Sequence, residues 1–174
     1  MKNKALNTLQ YTGTVTLSQY IGTKKTPIAQ VHNSGGSHLF NFLADCLIGN
    51  FETAKFDLLN KILLLTISVD EDKNVTKIVR QSGFIYMLNN PEKVYNANAC
   101  VVRYSFIVPR DQLEGTEFNG LGLYTSSITE TNYADNYAAI CKFDLDSNSI
   151  STSSILVVDW ELNISNSSAN KENL

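Results

Sequence analysis

The sequence predicts a mainly β protein: an antiparallel β-sandwich with one α-helix over residues 37–48. Three stretches in the second half place an apolar residue at every second position, which puts each set on one side of a sheet. Several such strands joined by polar turns are typical of a sandwich. The alternating residues are Cys100, Val102, Tyr104, Phe106 and Val108, then Tyr137, Ala139, Cys141, Phe143 and Leu145, then Leu156, Val158, Trp160, Leu162 and Ile164.

The first half predicts a hairpin, the helix and further strands in that order. Residues 9–32 hold two alternating segments around a turn at 22–27, which indicates an N-terminal hairpin. An apolar stripe with spacings of three and four predicts the helix, and Gly49 ends it. The stripe is Leu39, Phe42, Leu43, Cys46 and Leu47; a buried strand at 61–69, a turn at 70–74, strands at 75–79 and 84–88 and a polar loop at 89–98 follow.

The chain length of 174 residues predicts one domain. We assign residues 1–164 to a single β-sandwich domain. Residues 165–174 are almost wholly polar and contain too little apolar surface to pack, so they are predicted to form a C-terminal tail.

Composition favours contacts with protein over contacts with nucleic acid. Charged residues make up 18 % of the chain, against about 25 % in soluble domains. The remaining polarity comes from Asn, Ser and Thr, and neutral groups cost less to desolvate than charges. The net charge is −3 and no basic run is longer than Lys24-Lys25, so we expect no nucleic-acid contact.

The cysteines and the N-terminus predict synthesis in the cytoplasm and no membrane segment. Cys46, Cys100 and Cys141 are far apart and lie among apolar residues, which predicts three buried free thiols. The first ten residues contain no apolar signal-peptide core. The longest apolar run, at 62–65, is far too short to cross a bilayer.

No catalytic residue and no cofactor site is predicted. The histidines, His32 and His38, are accompanied by no nucleophile or zinc motif, so we expect them to form hydrogen bonds in the loop before the helix. Residues 34–37 (SGGS) precede that helix but lack the spacing and the lysine of a phosphate loop. We expect the chain not to be an enzyme.

Two acidic loops have the start of a calcium-loop pattern, but no metal site is predicted. Asp70, Asp72 and Asn74 are followed by Val75 and Gln81 where an EF-hand needs Gly and Glu. The second loop, with Asp144, Asp146 and Asn148, has Ser149 and Ile155 at the same places. Both are therefore predicted to be hairpin turns.

The aromatic residues leave one alternative function open. Tyr124, Tyr133 and Tyr137 border the polar loop 125–136, where exposed rings would form a platform for a sugar. The competing interpretation is that Tyr137 belongs to the core and the other two shield a strand edge. Asp159 and Glu161 share one strand face, and we interpret them as solvated surface carboxylates.

Two blocks carry a family resemblance over most of the chain. The first is HNSGGS followed by LFNFL at 32–43, with Leu47 and Gly49; the second is FNGLGLY at 118–124, YAAIC at 137–141, ISTS at 150–153 and LVVDWEL at 156–162. Both resemble patterns of small β-sandwich virion proteins of tailed bacteriophages, including crAss-like phages. Gly120, Lys142 and Ser37 depart from the Glu, Arg and Thr of those patterns.

The resemblance implies a structural component of a tailed-phage virion, of the neck, ring or tail type. Its partners would be other copies of itself, in a cyclic homo-oligomer, and neighbouring portal, ring or tail proteins. Such rings have heterologous interfaces, and an unpaired strand edge is a suitable contact. The N-terminal hairpin or the tail is the predicted contact. The alternative is a carbohydrate-binding module of a phage fibre or head appendage.

Overall fold

A computed structural model describes residues 8–35, 59–89, 91–95, 99–144, 150 and 154–167. These residues form ten β-strands and one helical turn, α1 (Arg110–Leu113). The predicted helix at 37–48, with His38 and Cys46, lies outside the described residues. The strands are β1 (Thr8–Ile21), β2 (Lys24–Gly35), β3 (Leu59–Val69), β4 (Val75–Arg80), β5 (Ile85–Tyr86), β6 (Glu92–Tyr95), β7 (Ala99–Val108), β8 (Gly120–Thr125), β9 (Ala139–Lys142) and β10 (Leu156–Ser167).

The strands form two packed antiparallel sheets, which confirms the predicted β-sandwich. The first sheet has the order β2-β1-β10-β7-β6, and the second has β9-β8-β3 with β4 and β5 on the far edge of β3. Strand β2 belongs to both sheets. It pairs with β1 up to Asn33, and its last residues, Ser34 and Gly35, pair with Ile140 and Ala139 of β9.

The main core lies between the sheets and contains most of the residues that the period-two pattern predicted to point inward, together with apolar residues of β3 and β8. Trp160 and Phe106 of the first sheet are fully buried there, opposite Ile62 and Leu121 of the second sheet. Burying a side chain of this size contributes roughly 1.5–3 kcal/mol, so this layer is the main source of stability. Its other large members are Val15, Leu17, Leu64, Tyr104, Val108, Leu123, Phe143, Leu156, Val158 and Leu162.

Several predicted boundaries are wrong. The predicted loop at 89–98 contains β6, whose residues pair with Arg103 to Cys100 of β7. The strand expected at 84–88 is reduced to Ile85–Tyr86, and the one at 137–145 to Ala139–Lys142. Strand β10 extends three residues past Ile164, because Ser165, Asn166 and Ser167 pair with Gln10, Leu9 and Thr8 of β1. Residues 168–174 lie outside the described part of the chain.

Candidate interaction surfaces

The outer face of the second sheet is covered by a second hydrophobic core. Strand β3 is apolar on both sides: Ile62 and Leu64 face the main core, whereas Leu63, Leu65 and Ile67 face outward. The connection between β8 and β9, residues 126–138, lies over these outward residues, and we call it the strap. Its apolar residues Ile128, Tyr133 and Tyr137 pack in this second core, together with Tyr124 and Ile140.

A buried lysine holds the start of the strap against the sheet. Lys61 of β3 is 3 % exposed, and its Nζ donates hydrogen bonds to the carbonyl oxygens of Ser126, at 2.9 Å, and of Ile128. The same Nζ lies 4.2 Å from the centre of the Phe84 ring, in a cation–π contact. A buried ammonium group is stable only with such partners, so Lys61 ties the strap to β3.

Two glycines of β8 make room for the side chains beneath the strap. A Cβ on Gly122 would lie 2.5 Å from the Tyr124 ring, and a Cβ on Gly120 would lie 2.2 Å from Cδ1 of Ile67. Both contacts are shorter than van der Waals contact allows. The two glycines of the sequence GLGLY at 120–124 therefore leave the space that the side chains of Tyr124 and Ile67 occupy.

The neighbouring Asn119 extends the pairing between β3 and β8 with its side chain. Its Oδ1 accepts a hydrogen bond from the Ile67 amide, at 2.7 Å, and its Nδ2 donates to the Ile67 carbonyl, at 3.1 Å. The backbone carbonyl of Asn119 accepts from the Phe143 amide, at 2.6 Å. Asn119 thus links β3 to Phe143, the residue that directly follows β9.

Tyr124 of β8 and the tyrosines of the strap do not form an exposed platform. Tyr124 is completely buried, and burial raises the pKa of its phenol. Its hydroxyl has no hydrogen-bond partner in the described part of the chain. Tyr133 and Tyr137 are half-buried, and the Tyr133 hydroxyl accepts a hydrogen bond from the Arg80 amide, at 3.2 Å. The alternative in which Tyr124 belongs to an exposed sugar platform does not fit this burial, because the strap covers the ring.

A groove of about 350 Å³ lies between β4 and the strap. Its lining combines the apolar residues Val75, Ile78 and Tyr137 with Lys77 and Asp135. Among the described strands, β4 has a neighbour only on its β3 side, so its other edge borders the groove. The turn before β4 brings Asp70, Glu71 and Asp72 to the same end of the strand.

The outer face of the first sheet is polar over most of its area. Across β6, β7 and β10, Arg103 lies between Glu92 and Glu161, with Nε of Arg103 2.6 Å from Oε1 of Glu161. These carboxylates raise the pKa of Arg103. In the next row Lys25 Nζ is 2.5 Å from Asp159, and Ser105 also donates to Asp159. Asp159 and Glu161 are therefore surface carboxylates, and each is paired with a cation.

One end of this outer face is apolar. Ile107 of β7 lies opposite Val157 of β10, and the Tyr20 amide donates to the carbonyl of Ile155, at 3.2 Å, one row further along. Tyr20, Ile107 and Ile155 are exposed on this face, at 38 %, 44 % and 52 %. We call these three residues the end patch. Ile21, at the tip of the β1–β2 hairpin, is 68 % exposed but lies on the opposite side of β1 by strand alternation. Contiguous apolar surface with a polar rim is typical of protein contact sites.

The remaining predicted residues take structural positions. His32 is exposed within β2 and lies opposite Thr14, so it is not in a loop before a helix. Cys141 is buried and its pKa is raised by that burial, whereas Cys100 is only half-buried.

The first acidic loop is the hairpin turn that the sequence predicts. Asp70 Oδ1 accepts a hydrogen bond from the Asn74 amide, at 2.7 Å, and Lys73 has a positive φ of 64°. In the second loop Asp144 is exposed and 3.8 Å from Lys142, and Asp146 and Asn148 lie outside the described residues. Within the ranges described above, no three His, Cys, Asp or Glu side chains are grouped to hold a metal ion.

The structure and the comparisons add two findings. None of the helices in the described part of the chain has the length and apolar character needed to cross a membrane. Comparison with models of protein families, with curated proteins and with solved structures finds no significant match.

Proposed function

We propose that the chain is a structural subunit of a tailed-phage virion, of the neck, ring or tail type, and that it works by packing against copies of itself and neighbouring subunits. The end patch is the observation that carries this proposal. Three large apolar side chains stay exposed on one end of a sheet whose other rows are polar and ion-paired. Burying such a patch contributes roughly 25 cal/mol for each Å² removed from water.

The rest of the surface supports the same proposal. Only 18 % of the residues are charged, so a neighbour can cover the surface without desolvating many ions. The polar rows beside the end patch are already paired within the chain. A partner therefore meets an apolar centre and a rim of satisfied charges, which is the usual anatomy of a protein interface. The resemblance of the two sequence blocks to small virion proteins gives the class of assembly.

The experiment that tests this proposal compares oligomeric mass with and without a charge in the end patch. We expect the wild-type protein to form oligomers, visible as rings or short arrays by negative-stain microscopy and as multiples of 19.3 kDa by mass photometry. Ile155→Asp should shift the population toward monomer, because a carboxylate in the contact must be desolvated. Leu88→Asp is the matched control, since Leu88 is 67 % exposed and lies outside the end patch.

Two results would count against the proposal. A wild-type protein that stays monomeric at the highest attainable concentration contradicts it. So does a wild-type oligomer that Ile155→Asp and Leu88→Asp weaken equally, because the end patch then has no special role.

A truncation separates the tail from the body of the sandwich. Removing residues 165–174 would also delete three residues that pair in β10, so the cut belongs after Ser167. We expect the protein ending at Ser167 to keep its thermal stability, because every described strand is intact. If the tail is a contact, as the sequence predicts, oligomer mass falls; unchanged assembly would defeat that prediction and leave the end patch as the contact.

A further inference from the structure

The sequence FNGLGLY at 118–124 contains an asparagine followed directly by a glycine, Asn119 and Gly120, and this is the only Asn–Gly pair of the chain. In such a pair the backbone nitrogen of the glycine attacks the side-chain carbonyl carbon of the asparagine more readily than in any other pair. The reason is that glycine has no side chain to hinder the approach and its backbone is the most flexible. By sequence, Asn119 is therefore the asparagine most prone to lose its amide.

The reaction has two steps that balance without any cofactor. A bond forms between the Gly120 nitrogen and Cγ of Asn119, the glycine N–H gives up its proton, and Nδ2 leaves as ammonia, which closes a succinimide ring. Water then opens the ring at either of its carbonyls. The products are aspartate at position 119 or isoaspartate, which carries one additional methylene group in the backbone.

The packing around the pair requires both of its residues. A Cβ on Gly120 would lie 2.2 Å from Cδ1 of Ile67 and 2.7 Å from the carbonyl oxygen of Cys141, so a larger residue does not fit. The Asn119 side chain bonds both backbone groups of Ile67, with Oδ1 accepting at 2.7 Å and Nδ2 donating at 3.1 Å. The glycine is needed for space and the asparagine for its donor and acceptor, and together they create a labile pair.

The same contacts block the reaction while β3 and β8 are paired. Gly120 pairs with Leu65 of β3 on one side and with Lys142 of β9 on the other. The Asn119 amide donates to the Leu65 carbonyl, at 3.0 Å, and the Asn119 carbonyl accepts from the Phe143 amide. With its backbone fixed and its side chain bonded to β3, Asn119 cannot turn Cγ toward the Gly120 nitrogen until those bonds open.

We propose that Asn119 is a site of irreversible deamidation that reacts only while β3 and β8 are unpaired, in the unfolded or locally opened chain. The product does not restore the link to β3. A carboxylate lacks the Nδ2 donor and places a negative oxygen beside the Ile67 carbonyl, and isoaspartate also shifts the register of β8. A chain that stays unfolded therefore loses, with time, part of the stability of its second sheet. This inference goes beyond the proposed function and does not depend on assembly.

The first test compares the full-length protein, folded and unfolded in urea, in the same mildly alkaline buffer. Peptide mapping by mass spectrometry follows the loss of ammonia at each asparagine. Asn119 should react fastest in the unfolded chain, and at least about tenfold more slowly in the folded protein, because reaction must wait for local opening. Asn163, followed by the β-branched Ile164, is the internal control and should react slowly in both states. Equal rates at Asn119 in the two states overturn the proposal, and so does a faster reaction at another asparagine of the unfolded chain.

The second test opens the strand pair without unfolding the protein. Ile67→Val removes the methyl group that lies over Gly120, and Leu65→Ala removes a buried side chain opposite Gly120. Both variants should deamidate at Asn119 several-fold faster than wild type under native conditions, with Leu65→Ala the faster, whereas Thr16→Ala in the first sheet should react as wild type does. Thermal unfolding verifies that each variant is folded. Wild-type rates in Ile67→Val and in folded Leu65→Ala would show that pairing with β3 does not protect Asn119.

The third test measures what the product does to the fold. Asn119→Asp should lower the midpoint of urea unfolding at neutral pH. Asn132→Asp is the matched control, because Asn132 is an exposed residue of the strap whose Oδ1 accepts from the Thr129 amide, and a carboxylate keeps that acceptor. A midpoint of Asn119→Asp equal to that of wild type overturns the claim that deamidation weakens the second sheet. All three tests read out the same in a monomer and in an oligomer, so their failure is separate from failure of the proposed function.

Discussion

The outer faces of the two sheets differ in how far the chain itself covers them, although both sheets belong to one sandwich. The second sheet is covered by its own strap, which buries Leu65 and Tyr124 completely. The first sheet keeps its outer face open, with paired charges over most of it and apolar residues at one end. One face is therefore completed by the chain itself, and the other has apolar surface left for a neighbour.

The cause of this difference lies in two strands. Strand β3 has apolar side chains at 62–65 without alternation, so both of its faces need cover. Strand β10 alternates strictly, with Trp160 and Leu162 inside and Asp159 and Glu161 outside. Two apolar side chains lie on the outer side at this end, Ile155 directly before β10 and the buried Val157 within it, and Ile155 belongs to the end patch.

The largest expected effect separates outward residues of the two sheets. Leu65→Ala removes a fully buried outward side chain of β3 and should lower the free energy of unfolding by roughly 2–5 kcal/mol. Thr16→Ala, outward on β1 beside Gln30, should change it by less than about 0.5 kcal/mol. Urea unfolding of both variants measures the two values. Equal effects would show that the strap does not form a true second core.

The next test concerns the contact between the Tyr124 ring and Gly122. Gly122→Ala brings a Cβ to 2.5 Å from the buried ring and should cost about 1–3 kcal/mol of unfolding free energy. In a Tyr124→Ala background the same substitution should cost less, because the ring is gone. A double-mutant cycle gives the coupling between the two positions. Additive effects would contradict the contact between ring and glycine.

An effect of similar size is expected at the lysine that ties the strap. Lys61→Met removes the donor shared by the carbonyls of Ser126 and Ile128, which should cost about 1–3 kcal/mol. Amide exchange in 126–138 should become faster than in the first sheet. Lys142→Met, at an exposed lysine of β9, is the matched control and should leave exchange in the strap unchanged. Slow exchange throughout the strap in Lys61→Met would show that Lys61 does not hold it.

The last effect appears only at alkaline pH. Burial raises the pKa of Tyr104, which faces the main core, to about 12, and it also raises the pKa of Tyr124 under the strap. The neutral phenols stabilise the fold fully below pH 10, and this contribution is lost as the pH rises from 10 toward 12. Each group contributes a slope of at most about 1.4 kcal/mol per pH unit.

Tyr104→Phe and Tyr124→Phe should both flatten the fall in unfolding free energy, whereas Tyr86→Phe, at an exposed tyrosine, is the control. An unchanged slope in Tyr124→Phe would show that water reaches its hydroxyl.

The sequence predicts the strands whose burial follows from their own pattern. Trp160 and Phe106 sit at the inward positions that period two assigns to them. The hairpin of β1 and β2 forms as predicted, but its turn is shorter than the predicted 22–27, because β2 already begins at Lys24 and pairs with Ile21. The turn of Asp70 and Asn74 forms for a local reason as well, since the carboxylate bonds the backbone four residues on.

The features that depend on distant partners are the ones that the sequence does not reveal. Strand β6 is a short polar edge strand, and only its pairing with β7 defines it. The strap has the composition of an exposed loop, although three of its apolar residues cover β3. Nothing in the sequence around Gly122 indicates that the Tyr124 ring lies against it. The end patch combines residues of β1 and β7 with the residue before β10, and no single stretch of sequence displays it.

The most direct test of the difference between the two faces is side-chain footprinting by hydroxyl radicals on dissociated and assembled protein. We expect oxidation of Tyr20, Ile107 and Ile155 to fall on assembly, while oxidation of Leu88 stays constant and Tyr124 is unreactive in both states. Equal oxidation of the end patch in monomer and oligomer would contradict the claim that the first sheet contacts its neighbours through this patch. Oxidation of Tyr124 in either state would contradict the claim that the strap covers the second sheet.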